Sequence, residues 1–206
     1  MPASSPQHRF VLATHNTHKV GEFAAILATH VPGIDVVGYD GPEPVEDGVT
    51  FAENALIKAR AAAAYTGLPA LADDSGICVD VLGGMPGIFS ARWAGEAKDN
   101  AANVQLLLSQ LSDVPDQFRA AHFTCHIALV YPATADAPAE ELVIHGDWPG
   151  RISREVRGAN GFGYDPVFIP EGFEISAAEL DPVKKNELSH RSRALRALGE
   201  LLNARS

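Results

Sequence analysis

Residues 71–87, LADDSGICVDVLGGMPG, constrain the fold of this chain more than any other stretch. A short apolar strand opens it. Two adjacent carboxylates (Asp73, Asp74) and a hydroxyl (Ser75) follow at a turn-prone Ser-Gly pair, and a buried strand through Cys78, Val79, Val81 and Leu82 then breaks at GGMPG. Acids that end a strand beside a loop are where α/β proteins hold a metal or a polar ligand. An Asp-rich turn that only caps the strand reads the same way in isolation, so the rest of the chain has to decide.

The 206 residues, 46% hydrophobic and 20% charged, suit a soluble globular protein, read as a single domain over 1–206 with residues 1–8 a disordered tail. No apolar run approaches the about 20 residues that span a bilayer. The opening MPASSPQHR is too short and polar for a secretory signal, so a cytoplasmic protein without membrane contact is expected. Cys78 and Cys125 stand far apart in apolar surroundings, without a CxxC pair, and read as small buried hydrophobes. With 16 Lys+Arg against 26 Asp+Glu the net charge is -10, which repels a nucleic-acid backbone. A small anionic ligand remains compatible where cations or a divalent metal gather.

Cations gather at two predicted helix starts. Arg9 to Thr14 reads as a strand, and Asn16 or Thr17 then caps a helix with Val20, Phe23 and Leu27 on one face, leaving free N–H groups and a positive dipole end beside Lys19. Near the C-terminus Ser189 caps a helix whose first turn holds His190 and Arg191, with Lys184 and Lys185 just upstream. Between these, Ile34 to Tyr39 reads as a strand, followed by an acidic loop. Thr50 and Glu53 form a capping box, which gives Glu53 a structural task that Glu46 and Asp47 lack. Asn54 and Lys58 share a face of that helix, and Gly67 ends it. A helix over about 99–111 reads as structural. Period-two alternation from Arg119 to Tyr131, a loop and LVIHGDWPG predict a hairpin in which His122, His126 and His145 are strand histidines without partner acids. In GANGFGYDPVFIP, glycines surround Phe162 and Tyr164. They let a flat ring approach the backbone, or place aromatics as plugs of the core. Jointly, the cation-bearing helix starts, the acid-rich strand and the glycine-aromatic loop suit a phosphorylated ligand with an aromatic base, its phosphates held against a divalent cation.

Five ordered blocks carry a resemblance: Thr14-His15-Asn16-Thr17-His18-Lys19, FAENALIKA (51–59), ADDSGICVDVLGGMPGIFSARWAG (72–95), GFGYDPVF (161–168) and KNELSHR (185–191). Over nearly the whole chain they resemble the noncanonical purine nucleoside triphosphate pyrophosphatase (inosine triphosphate pyrophosphatase) family. The resemblance implies an α/β fold with a central, mixed, elongated sheet flanked by helices, two lobes with an active-site cleft between them, and a homodimer. It implies Mg2+-dependent hydrolysis of ITP, dITP and XTP to the monophosphate and pyrophosphate, which cleanses the nucleotide pool.

Carried onto this chain, the resemblance assigns the segment Thr14-His15-Asn16-Thr17-His18-Lys19 to the substrate, with Thr14, Asn16 and Lys19 on the triphosphate. Asp74 becomes the general base at the metal, Glu46 the second metal-associated carboxylate, and Ser75 a substrate contact. Phe162, Gly163, Tyr164 and Asp165 form part of the nucleotide pocket, with Lys185, His190 and Arg191 completing recognition. The chain departs from the family pattern at His15, where many bacterial members carry glycine. A related pyrophosphatase for modified pyrimidine or methylated nucleotides, and a nucleotide sensor without catalysis, are the alternatives.

Overall fold

The computed structural model describes residues 9–205; the tail expected at residues 1–8 lies outside the described residues. In chain order the elements are β1 (Arg9–Leu12), α1 (Thr17–Ala28), β2 (Asp35–Gly38), α2 (Phe51–Thr66), β3 (Ala70–Val79), α3 (Asn100–Gln110), β4 (Ala120–Tyr131), β5 (Glu140–Ile152), β6 (Phe168–Pro170), α4 (Pro182–Leu188) and α5 (His190–Arg205). The strands form one six-stranded sheet in the order β2-β1-β3-β4-β5-β6. β1 pairs in parallel with β2 and with β3, whereas β5 pairs antiparallel with β6, so the sheet is mixed. Parallel neighbours need crossover connections; α1 and α2 supply them, packing on β2 and β1. The α/β class with a mixed sheet and flanking helices is the one the sequence predicts.

Local chemistry sets the helix ends. Asn16 caps α1 by accepting from the N–H groups of His18 and Lys19. The Thr50–Glu53 capping box opens α2, and Gly67, with φ 68°, closes it in the left-handed conformation that glycine adopts freely.

Two compact units divide the chain. The first comprises the described residues up to Asp74, with His126–Gly146 and the residues from Ala194 onward. In it Ala55, Ala59, Ala62 and Ala63 of α2 pack with Val11, Tyr39, Ala70, Ala72, Ala128 and Val130, and Phe23, Leu27 and Leu71 are fully buried. The second, Ser75–Cys125 with Asp147–Arg193, has a core that includes Ile77, Leu107, Phe123, Trp148, Tyr164 and Phe168. There the Phe123 and Phe168 rings meet edge to face at 4.7 Å. The buried Arg119 guanidinium donates to the carbonyls of Leu111, Ile152 and Ser153, which satisfies a charge that burial would otherwise disfavour.

Three expectations need correction. β3 runs unbroken from Ala70 to Val79, so Asp73, Asp74 and Ser75 sit inside a strand and not at its end. β3 has strand neighbours on both sides, β1 and β4, and the ladder outweighs the local turn preference of Ser75-Gly76. The strand stops before Asp80–Leu82, which form a 3-10 turn with Val81 48% exposed. Lys184 and Lys185, just upstream of Ser189, belong to the short helix α4, which Asp181 caps and Pro182 opens. The alternation expected of β4 is also incomplete, because Thr124, Ala128 and Val130 are buried as well as Phe123, Cys125, Ile127 and Leu129.

Candidate active site

In the first unit the carboxylates of β3 meet cations and an amide from the helices. Lys19, in the first turn of α1, places Nζ 2.5 Å from Oδ1 of Asp73, whose side chain is 3% exposed. Asp74 takes a different set. Asn54 donates from Nδ2 to its Oδ2 at 3.2 Å, and Lys58 Nζ lies 3.7 Å from its Oδ1. The same Lys58 ammonium reaches Glu46 Oε2 at 3.1 Å, drawing the acidic loop toward β3. Burial pushes the Asp74 carboxyl above the usual carboxylate range; Lys58 and Asn54 pull it back, and Glu46 and Asp73 push it further up. Asp73, its neighbour on β3, is the smallest of these influences.

Of the acids near this loop, Glu53 makes the helix cap that the capping box predicts. Glu53 Oε2 accepts from the N–H groups of Val49 and Thr50, which fixes it at the helix start. Glu46 is the acid that Lys58 brings into relation with Asp74. Among the described residues no group of three or more His, Cys, Asp or Glu is placed to hold a metal ion by itself. Glu46 and Asp74 supply two hard oxygen donors, which suits a divalent cation that completes its shell with water and phosphate oxygens.

The start of α1 differs from its expected form. The N–H groups of His18 and Lys19 are taken by Asn16 Oδ1, that of Asn16 by Thr14 Oγ1, and that of Val20 by the Asn16 carbonyl. These bonds occupy several of the N–H groups at the start of α1, and the dipole end and side chains there face an anion as well. Thr17 and His18 are exposed, and Thr14 is half-buried. His15 turns to the acidic loop: Nε2 lies 2.9 Å from the Gly41 carbonyl and Nδ1 3.3 Å from Glu43, with the ring stacked on Tyr39.

The second unit holds the remaining predicted residues. Lys185 of α4 pairs with the buried Asp165 at 2.6 Å, and the same carboxylate accepts from the Phe162 N–H at 2.8 Å. Lys185 Nζ also lies 5.4 Å from the centre of the Phe162 ring, which is 67% exposed. Gly161 and Gly163 flank it with positive φ; a Cβ at Gly161 would fall 2.3 Å from the Asp165 carboxylate. Phe162 is thereby presented as a flat platform, whereas the Tyr164 ring is buried in the core and its hydroxyl donates to the Ser90 carbonyl. His190 stacks on Phe123 at 5.0 Å. Arg191 shares the first turn of α5, and Ser189 Oγ accepts from the Ser192 N–H, as a cap does. Ser75, half-buried, follows Asp74 on β3.

Sequence reasoning gives Asn54 and Lys58 no site role, although their shared helix face is the signal that could have found them. The strand histidines also have company: Asp80 lies 4.0 Å from His122, and His126 stacks between Phe51 and His145.

A model of the Ham1 family matches residues 10–201. Over 198 residues the chain is 61% identical to a dITP/XTP pyrophosphatase of Leifsonia xyli subsp. xyli, covering 96% of this chain and 97% of that protein. Among solved structures it is similar to a HAM1 protein from Coxiella burnetii, with a TM-score of 0.86 and 44% identity over 95% of this chain and 98% of that one. It is likewise similar to a nucleoside-triphosphatase / dITP/XTP pyrophosphatase from Mycobacterium abscessus, with a TM-score of 0.77 and 47% identity over 92% of this chain and 98% of that one.

Proposed function

The chain belongs to the Ham1 family, and from that premise we propose that it hydrolyses the noncanonical purine nucleoside triphosphates ITP, dITP and XTP to monophosphate and pyrophosphate. The observation that carries this reading is the arrangement at Asp74: a carboxylate with raised proton affinity, held by an amide and an ammonium, beside a second carboxylate on the same ammonium. Such a group suits proton transfer from water better than an ordinary surface acid does.

Asp74 orients the attacking water and accepts its proton as the water oxygen bonds to the α-phosphorus. Lys19 and Lys58 stabilise the negative charge that moves onto the departing pyrophosphate. Glu46 and Asp74 would hold Mg2+, which when bound neutralises phosphate charge and acidifies coordinated water. Thr14, His15, Asn16, Thr17 and His18 border the triphosphate, and Ser75 contacts the substrate. Phe162 stacks on the base, with Gly163, Tyr164, Asp165, Lys185, His190 and Arg191 completing the nucleotide's surroundings. The protein works as a cytoplasmic homodimer, and residues 1–206 act as one nucleotide pyrophosphatase domain.

Pyrophosphate release with Mg2+, measured across ITP, XTP, dITP, GTP, dTTP and ATP, tests the proposal. Preference for the first three supports it. Preference for another nucleotide, or binding without release, rejects it.

A further inference from the structure

We infer that His15 is a positioning residue: it latches the acidic loop that carries Glu46 onto the turn before α1, so that Glu46 is held ready for a divalent cation. The inference rests on the cation-bearing role proposed above for Glu46.

The loop from Asp40 to Gly48 carries Asp40, Glu43, Glu46 and Asp47, four like charges whose repulsion favours an open chain. Two anchors oppose this. At the far end Asn54 Oδ1 accepts from the Gly48 N–H at 3.0 Å. A Cβ at Gly48 would fall 2.7 Å from that oxygen, so the approach is as close as glycine permits. At the near end the loop wraps around Tyr39, whose hydroxyl donates to the Pro42 carbonyl at 2.9 Å. His15 closes this end by stacking on Tyr39 at 5.9 Å and contacting Gly41 and Glu43 through its two nitrogens. Glu46 lies between the anchors, on the wall of a cavity of about 70 Å3 lined by Ala13, Tyr39, Glu43, Pro44 and Lys58.

Both partners of the His15 ring are acceptors, so the ring joins the turn before α1 to two points of the loop, the Gly41 carbonyl and Glu43.

Amide hydrogen exchange over residues 40–49, corrected for intrinsic chemistry, tests the latch in the metal-free protein. Losing one such hydrogen bond should accelerate exchange there by about threefold to tenfold in both His15→Ala and Glu43→Gln at pH 6. Mn2+ dissociation constants, followed by electron paramagnetic resonance, should rise by a similar factor in both variants. Unchanged exchange in either folded variant overturns the inference, as does faster exchange with unaltered Mn2+ affinity. Should His15→Ala fail to fold, Glu43→Gln decides alone. Absence of Mn2+ binding by the unsubstituted protein would instead reject the metal role of Glu46, and the inference with it, whatever the exchange data.

Discussion

Burial raises the proton affinity of Asp74 while Lys58 and Asn54 draw it down. A carboxyl whose proton affinity rises on folding favours the folded state while protonated, and that contribution is lost as pH climbs from the ordinary carboxyl value, about 3.9, through the folded one. At neutral pH the metal-free protein thus bears a cost at Asp74. Asp74→Asn removes it: turnover should fall by about 100-fold to 10,000-fold, while the melting temperature at pH 7, by scanning calorimetry, should match or exceed that of the unsubstituted protein. Beside its proposed substrate role, Lys19 serves stability, because its ammonium accompanies the buried Asp73. Lys19→Ala should raise KM and also cost about 1–3 kcal/mol in denaturant unfolding. Adding Asp73→Asn should restore much of the stability and none of the affinity; recovery of KM in the double variant would count against Lys19 as a phosphate ligand.

At the scale of elements, the segment leading to the Phe162 platform turns at a glycine that meets backbone. Gly158 has φ 80° and a Cβ there would lie 2.5 Å from the Ala178 carbonyl carbon, so Gly158→Ala should destabilise the fold by about 1–3 kcal/mol, read from the denaturant midpoint. Elements governed by neighbours within one turn are legible in the sequence: the Thr50–Glu53 box and Gly67 both stand where local chemistry puts them. Asp181 followed by Pro182 carries the signal for α4 in the same way. β3 is not legible, since Ser75-Gly76 reads locally as a turn and its strand neighbours lie elsewhere in the chain. The same limit hides Lys58. Its face on α2 is visible, but the contact with Glu46 and Asp74 requires loop, helix and sheet to be brought together.

For the whole molecule, the net charge of -10 makes local cations the condition for binding a triphosphate, and the proposal assigns that part to Lys19 and Lys58, which stand beside the carboxylates they pair with. The division into units leaves no mark in the sequence, because each is assembled from separated segments and β3, β4 and β5 contribute to both. No helix among the described residues is long and apolar enough to cross a membrane. The chemical claim is that water, oriented by Asp74, attacks the α-phosphorus. Hydrolysis of ITP in 18O-labelled water, with products resolved by mass spectrometry, tests it most directly. One 18O in the monophosphate and unlabelled pyrophosphate is the predicted result; label in pyrophosphate, or release of inorganic phosphate with a diphosphate, would contradict it.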